Sequence, residues 1–234
     1  MSRRMLLLAM PKPSPLACRG TATIEFALIA PLLISLLLGI CDIAPATMAR
    51  YKFGNATQSV ADLATQIPNL QTSDMADVFA GGADVLAPYS SATLSLRVTN
   101  VASDGAGNAF VYWSCANGAF TPFSARSNVT TTPTGSSVDT VIWRYNFQYG
   151  GYTYNGTNTS YVSVEASYVY TAPAGFVLTT PQTMSVVTYM VPRQSSYIGF
   201  PWDGNANNAP PIPTSTQAVN SVTLSNGAVC SYAS

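Results

Sequence analysis

The feature that most constrains this chain is an apolar run close to its N-terminus. Residues 24–43 read IEFALIAPLLISLLLGICDI, and the charged residues among these twenty are Glu25 and Asp42. Because a helix rises about 1.5 Å per residue, about 20 residues span a hydrocarbon core of roughly 30 Å. The stretch 32–38 has no charged face, which disfavours the amphipathic core helix of a soluble protein. The run therefore predicts a helix that spans a membrane.

The charges on the two sides of this run predict its orientation. All ten acidic residues follow Gly20, together with six of the ten basic residues, so the part after Gly20 has a net charge of −4. Basic residues near a membrane helix tend to stay on the cytoplasmic side. We therefore expect a cytoplasmic N-terminus and a C-terminal domain that is exported across the membrane. The basic residues before the run are Arg3, Arg4, Lys12 and Arg19.

Glu25 lies where a carboxylate is costly. A charged residue at the centre of a membrane helix costs about 2.5–3.5 kcal/mol on the insertion scale, so we expect Glu25 to have a function. Arg19 and Gly20 stand directly before Thr21, and Glu25 and Phe26 follow at the start of the apolar run. This arrangement resembles the processing site of type IV pilin-like proteins. It is most similar to TadE/TadG-like minor pilins (pseudopilins) of tight-adherence (Flp, type IVb) pilus systems.

The resemblance implies a processing step and an assembly contact. In this family a membrane-bound prepilin peptidase cuts after the glycine, which corresponds to Gly20, and Thr21 would become the new N-terminus. Glu25, with Phe26 beside it, would then be the assembly residue, pairing with the N-terminal amine of a neighbouring subunit. Weaker likenesses to the family follow downstream, in Val164-Glu165 and Tyr168-Val169-Tyr170 among others.

Two other interpretations of the apolar run remain open. A secretory signal peptide would use Ala44-Pro45-Ala46 as an A-x-A cleavage site. The long basic leader, Glu25 within the apolar region and the central Pro45 disfavour it. An uncleaved single-pass anchor is the other alternative.

The chain divides into four predicted segments. These are a cytoplasmic leader over 1–20, a transmembrane and assembly helix over 21–44, an extramembrane continuation of that helix over 45–68, and an exported domain over 69–234. The continuation is predicted by apolar residues at helical spacing and ends before Pro68. The residues with that spacing are Val60, Leu63, Ala64 and Ile67.

The exported domain is predicted to be β-rich with a loop-rich C-terminal tail from Ser195. A short helix is expected over 74–79, ended by Gly81-Gly82. We expect an antiparallel sheet of about four strands packed on the upper half of the long helix, which makes the fold class α+β. The strand candidates, chosen for alternating apolar residues, are 92–99, 109–113, 140–149, 161–170, 184–191 and 219–224.

The composition excludes several kinds of chemistry. The chain has no histidine, which removes Ser-His-Asp catalysis and His-ligated metal sites. We therefore predict a structural protein, not an enzyme, without a cofactor or metal. Six scattered basic residues after Gly20 also argue against nucleic-acid binding.

Two cysteines fall in the predicted exported domain. Cys115 and Cys230 would be candidate disulfide partners in an oxidising compartment. Two free thiols, or an intermolecular link, are the alternatives.

The function expected from the resemblance is that of a minor pilin in a Flp-type pilus for surface adherence. Its partners would be the prepilin peptidase, other pilins and pseudopilins, the inner-membrane assembly platform and membrane lipid. The alternative is an anchored or secreted surface domain that binds carbohydrate or host protein through its Tyr-rich strands. Aromatic residues on such strands are more often part of the packing of a half-buried sheet.

Overall fold

The computed structural model describes residues 17–103, 109–127, 148–149, 152–153, 160–205 and 217–234. Two helices come first and the strands follow, so the predicted α+β class is confirmed. The helices are α1 (Ala17–Gln66) and α2 (Thr72–Leu86). The strands are β1 (Ser95–Ser103), β2 (Ala109–Ala116), β3 (Gln148–Tyr149), β4 (Tyr152–Thr153), β5 (Ser160–Tyr170), β6 (Gln182–Met190), β7 (Val219–Thr223) and β8 (Val229–Ala233).

Helix α1 is 50 residues long, which corresponds to about 75 Å. It is continuous through Pro31 and Pro45, and it ends shortly before Pro68. Near the second proline, the hydroxyl of Thr47 donates to the carbonyl of Ala44 at 2.8 Å. The tyrosine hydroxyl of Tyr89 donates to the carbonyl of Pro45 at 3.1 Å. Side chains of α1 and of the segment after α2 therefore bind backbone carbonyls around Pro45.

Helix α2 is longer than the sequence predicted. It continues through Gly81-Gly82 to Leu86, so the expected end at these glycines is wrong. Gly82 is buried, and a Cβ atom there would lie 2.5 Å from Cγ2 of Val60 on α1. The glycine therefore allows the two helices to approach each other closely instead of ending α2.

One antiparallel sheet holds six strands in the order β6-β5-β1-β2-β8-β7. The expected number of about four was too low because the C-terminal hairpin β7–β8 adds two strands at the edge of β2. Gly227, with φ 82°, lies in the turn of that hairpin. β3 and β4 form a separate two-stranded pair, and the remainder of the strand candidate 140–149 lies outside the described residues.

The core lies between the sheet and the C-terminal half of α1, as predicted, with α2 packed beside α1. Phe53 of α1 is fully buried, and its ring lies 5.9 Å from that of Tyr168 on β5. Further buried α1 residues are Ala49, Ala56, Val60, Ala61 and Ala64.

Part of the predicted loop-rich tail belongs to this core. Ile198 and Phe200 are buried, and the indole nitrogen of Trp113 donates to the carbonyl of Ile198 at 2.8 Å. The backbone of Gly199 pairs with the connection between the helices, donating to Pro68 at 2.8 Å and accepting from Leu70 at 2.9 Å. The tail thereby joins the sheet to the helix pair.

Candidate assembly helix and its contacts

The N-terminal half of α1 carries apolar side chains outside the packed core. Within the part of the chain that the structure describes, α1 is the one helix long and apolar enough to cross a membrane, and the most apolar part of it is not buried. A helix that is apolar on all sides and lacks a protein cover belongs in lipid or against other helices. This single apolar N-terminal helix suggests membrane anchoring. Its side chains that are more than half exposed include Ile24, Phe26, Leu28, Ile29, Leu32, Leu33, Ile34, Leu36, Leu37 and Ile40.

The predicted processing and assembly residues lie at the start of α1. Gly20 and Thr21 are within the helix, near its first residue Ala17. Glu25 lies four residues after Thr21, so both residues are on one face of the helix. The side chain of Glu25 is exposed, and Phe26 next to it is 68% exposed. An exposed carboxylate in an apolar surface can accept charge-assisted hydrogen bonds from a cationic group of another chain.

Sequence reasoning missed the role of Asp42, the second charged residue of the apolar run. Asp42 is buried beneath residues 171–181, the connection between β5 and β6, which we call the β5–β6 loop. Its Oδ1 accepts a hydrogen bond from the backbone N–H of Gly175 at 3.1 Å. Its Oδ2 accepts from the N–H groups of Val177 at 2.6 Å and Leu178 at 3.3 Å. The carboxylate thus holds three loop donors against the helix.

The pairing of Asp42 could not be read from the sequence because its partners are 133 to 136 positions away. These partners are backbone N–H groups, which every residue except proline has, so no sequence pattern marks them. The signal that was available is Asp42 itself, since a carboxylate at the end of an apolar run needs a partner or water.

α1 therefore has an exposed half and a packed half. The exposed half carries Glu25 at its N-terminal end, and at Asp42 the helix is hydrogen-bonded to the β5–β6 loop. Residues 20–62 match the family model of TadE-like proteins. The match confirms the resemblance to TadE/TadG-like pilins that the sequence motif predicted. No curated protein and no solved structure matches the chain.

The TadE-like segment, residues 20–62, contains all the predicted processing and assembly residues. It also contains Asp42 and Phe53, which join the helix to the part of the chain that contains the sheet. The family match therefore covers both the exposed and the packed half of α1, and it ends before α2 and the sheet begin.

Outside the TadE-like segment, Cys115 and Cys230 form a disulfide. They are directly opposite each other on the neighbouring strands β2 and β8, and their Cα atoms are 4.0 Å apart. The bond attaches the C-terminal hairpin to the sheet across 115 positions of sequence. Cys41 in α1 is a free, exposed thiol.

Aromatic residues of β2 and β5 pack inside the domain. Tyr112, Trp113 and Tyr161 are at most 3% exposed. Burial raises the pKa of Tyr112, and the nearby phenol of Tyr197 raises it further. Tyr112 therefore stays neutral at physiological pH. Trp143, Tyr145 and Tyr154, which the alternative of a Tyr-rich binding surface would also use, lie outside the described residues.

One ion pair lies within the sheet. The guanidinium of Arg97 on β1 pairs with the carboxylate of Glu165 on β5, and their side chains are 11% and 5% exposed. The guanidinium also lies 3.7 Å from the ring centre of Phe123. Loss of one partner would leave an uncompensated buried charge, so we infer that this pair stabilises the fold of the domain.

Within the described ranges, no group of three or more Cys, Asp or Glu could hold a metal ion.

Proposed function

We propose that this protein is a structural minor pilin or pseudopilin of a tight-adherence, Flp-type pilus system. The TadE-like match indicates a protein associated with a Tad pilus. The observation that carries the finer proposal is the position of Glu25. It is an exposed carboxylate at the N-terminal end of an unburied apolar helix, inside the matched segment.

In this proposal a prepilin peptidase removes residues 1–20 and leaves Thr21 as the N-terminus. The precursor is held in the inner membrane by residues 21–44, with its leader in the cytoplasm. Residues 45–68 continue the helix into the exported part, and residues 69–234 form the exported domain. The basic leader and the acidic remainder support this orientation.

Glu25 would bind the N-terminal amine of a neighbouring pilin in the assembled helix bundle. In a low-dielectric environment a paired carboxylate and amine stabilise each other, whereas either group alone is costly. Phe26 would pack against the same neighbour. Other pilins, the inner-membrane assembly platform and lipid are the partners in this role, which requires no catalytic group or cofactor.

The contacts of the exported domain support processing at Gly20 over cleavage by signal peptidase. Asp42 accepts hydrogen bonds from the β5–β6 loop, and Pro45 accepts one from Tyr89. A cut after Ala46 would remove both acceptors from the domain. A cut after Gly20 keeps them.

N-terminal sequencing of the protein from membranes tests the processing step. We expect Thr21 as the first residue, and accumulation of the precursor when Gly20 is replaced by a bulky residue in a Gly20→Leu variant. A mature protein that begins at Thr47 would reject the pilin proposal, and a native N-terminus upstream of Gly20 would favour a plain anchor.

The assembly role is tested with a pair of substitutions at Glu25. Glu25→Gln keeps the shape and removes the charge, whereas Glu25→Asp keeps the charge. We expect both variants to be inserted and processed, but Glu25→Gln to lose co-purification with other pilins and to reduce piliation, with Glu25→Asp retaining part of both. Unchanged co-purification and piliation in Glu25→Gln would show that Glu25 has no role in assembly.

A further inference from the structure

The β5–β6 loop presents apolar side chains beside the exposed half of α1. Phe176 is 61% exposed and Val177 is 52% exposed. The loop sequence, TAPAGFVLTTP over residues 171–181, contains no charged residue. Two adjacent large apolar side chains in an uncharged loop form a surface that favours burial in an apolar medium.

The position of the loop along α1 identifies that medium. The Cγ2 atom of Val177 would lie 4.0 Å from a Cβ atom at Gly39, and the loop backbone is bound to Asp42. With a rise of about 1.5 Å per residue, these contacts are about 23–27 Å along the axis from Ile24, where the apolar run begins. A hydrocarbon core of roughly 30 Å that starts at Ile24 would end near this level. The loop therefore meets the helix where the bilayer ends.

The backbone of the loop is suited to this place. Polar backbone groups that enter an apolar medium must be paired within the protein. Asp42 accepts hydrogen bonds from Gly175, Val177 and Leu178, which surround Phe176. Leu178 is partly buried and packs against the core. The residues before and after Phe176 are thus hydrogen-bonded to α1, and the side chain of Phe176 remains exposed.

We propose that the β5–β6 loop is a second membrane contact, in which Phe176 and Val177 enter the interfacial region of the leaflet facing the exported domain. The occupant of this surface is lipid, because the surface is continuous with the apolar part of α1. The inference rests on the proposed membrane anchoring by α1. Its consequence is that the exported domain is held at a fixed height and tilt on the bilayer, with Asp42 as the positioning residue.

Site-directed spin labelling of the full chain in vesicles of phosphatidylethanolamine and phosphatidylglycerol tests the proposal. The background carries Cys18→Ser and Cys41→Ser, and single labels are placed by Phe176→Cys, Val219→Cys or Leu33→Cys. Val219 on edge strand β7 is 46% exposed and serves as the aqueous control. Leu33 is 53% exposed in the apolar half of α1 and serves as the lipid reference. Relaxation by oxygen reports lipid, and relaxation by a water-soluble nickel chelate reports water.

We expect the label at position 176 to favour oxygen, as at 33, and the label at 219 to favour the nickel chelate. Adding Asp42→Asn should shift the label at 176 toward the nickel chelate while leaving 33 unchanged. A lipid signal at 33 with a water signal at 176 would overturn the loop contact alone. Protection of 176 from both reagents would overturn it in favour of a protein partner. A water signal at 33 would overturn the membrane anchoring, and the loop contact with it.

Discussion

The carboxylate of Asp42 accepts a hydrogen bond from the backbone N–H of Val177 at 2.6 Å, joining two residues 135 positions apart. Asp42 lies near the end of the apolar run of α1, and Val177 lies in the loop between β5 and β6. This contact lies close to the N-terminal end of the part of α1 that packs on the sheet domain. It places the domain directly next to the apolar segment instead of leaving a flexible link between them.

Replacing the carboxylate should release the loop without unfolding the domain. We expect Asp42→Asn to accelerate amide hydrogen exchange at Gly175, Val177 and Leu178, because an amide side chain offers a single acceptor oxygen where the carboxylate offers two. Asp62→Asn is the matched control, since Asp62 lies on the same helix and pairs with Arg193 at an exposed site. Equal exchange at Val177 in both variants would show that the loop is held by other contacts. Exchange in β1 and β2 should not change.

Two glycines in the helices should respond to alanine in opposite directions. A Cβ atom at Gly82 would lie 2.5 Å from Val60 and 3.2 Å from Leu96. At Gly54 it would have no described heavy atom within 4 Å. Gly54→Ala should therefore stabilise the protein by up to about 1 kcal/mol through helix propensity. Gly82→Ala should destabilise it by roughly 1–2 kcal/mol, because overpacking costs more than the propensity gain. Urea unfolding of the full chain in detergent measures both, and a stabilising Gly82→Ala would contradict the close approach of α1 and α2.

The packed half of α1 should be tested at neighbouring positions. Phe53 is fully buried and stacked on Tyr168, whereas Tyr51, two residues earlier, is 67% exposed. We expect Phe53→Ala to lower the free energy of unfolding by about 3–5 kcal/mol, as for other buried aromatic residues. Tyr51→Ala should change it by less than about 0.5 kcal/mol. Similar losses for both, measured by the same urea titration, would mean that the sheet does not pack on this face of the helix.

The fold could be predicted from the sequence where one local pattern decides the structure. The apolar run specified the long helix, and alternation specified β5, predicted over 161–170 and found at Ser160–Tyr170. The prediction was wrong where tertiary contacts override local propensity. Gly81-Gly82 predicted a helix end, but Gly82 lies inside α2, at a position where Val60 leaves no space for a side chain. Strand β8 was missed because it has only five residues, and because one of its two neighbours in the sheet, β2, is distant in sequence.

The candidate site divides in the same way. Gly20, Thr21, Glu25 and Phe26 could be selected because they stand in sequence order at the start of the apolar run. Asp42 could not be assigned, since its role depends on backbone donors brought to it by the return of the chain from β5 to β6. A sequence motif identifies residues that are close together in the chain. A contact between residues that are distant in sequence can be identified only from the structure.

The last prediction concerns the disulfide between Cys115 and Cys230, which closes a loop of 115 residues. Non-reducing peptide mapping of exported protein should find the two cysteines joined. The double variant Cys115→Ser, Cys230→Ser should lower the free energy of unfolding by about 4–5 kcal/mol in the chain-entropy model. Cys41→Ser is the control, because Cys41 is a free and exposed thiol on α1. Membrane insertion should be unchanged in both variants, since α1 does not depend on the C-terminal hairpin for its apolar half. Alkylation of Cys115 and Cys230 in native protein, without prior reduction, would refute the bond, and an unchanged unfolding free energy in the double variant would show that it does not stabilise the domain.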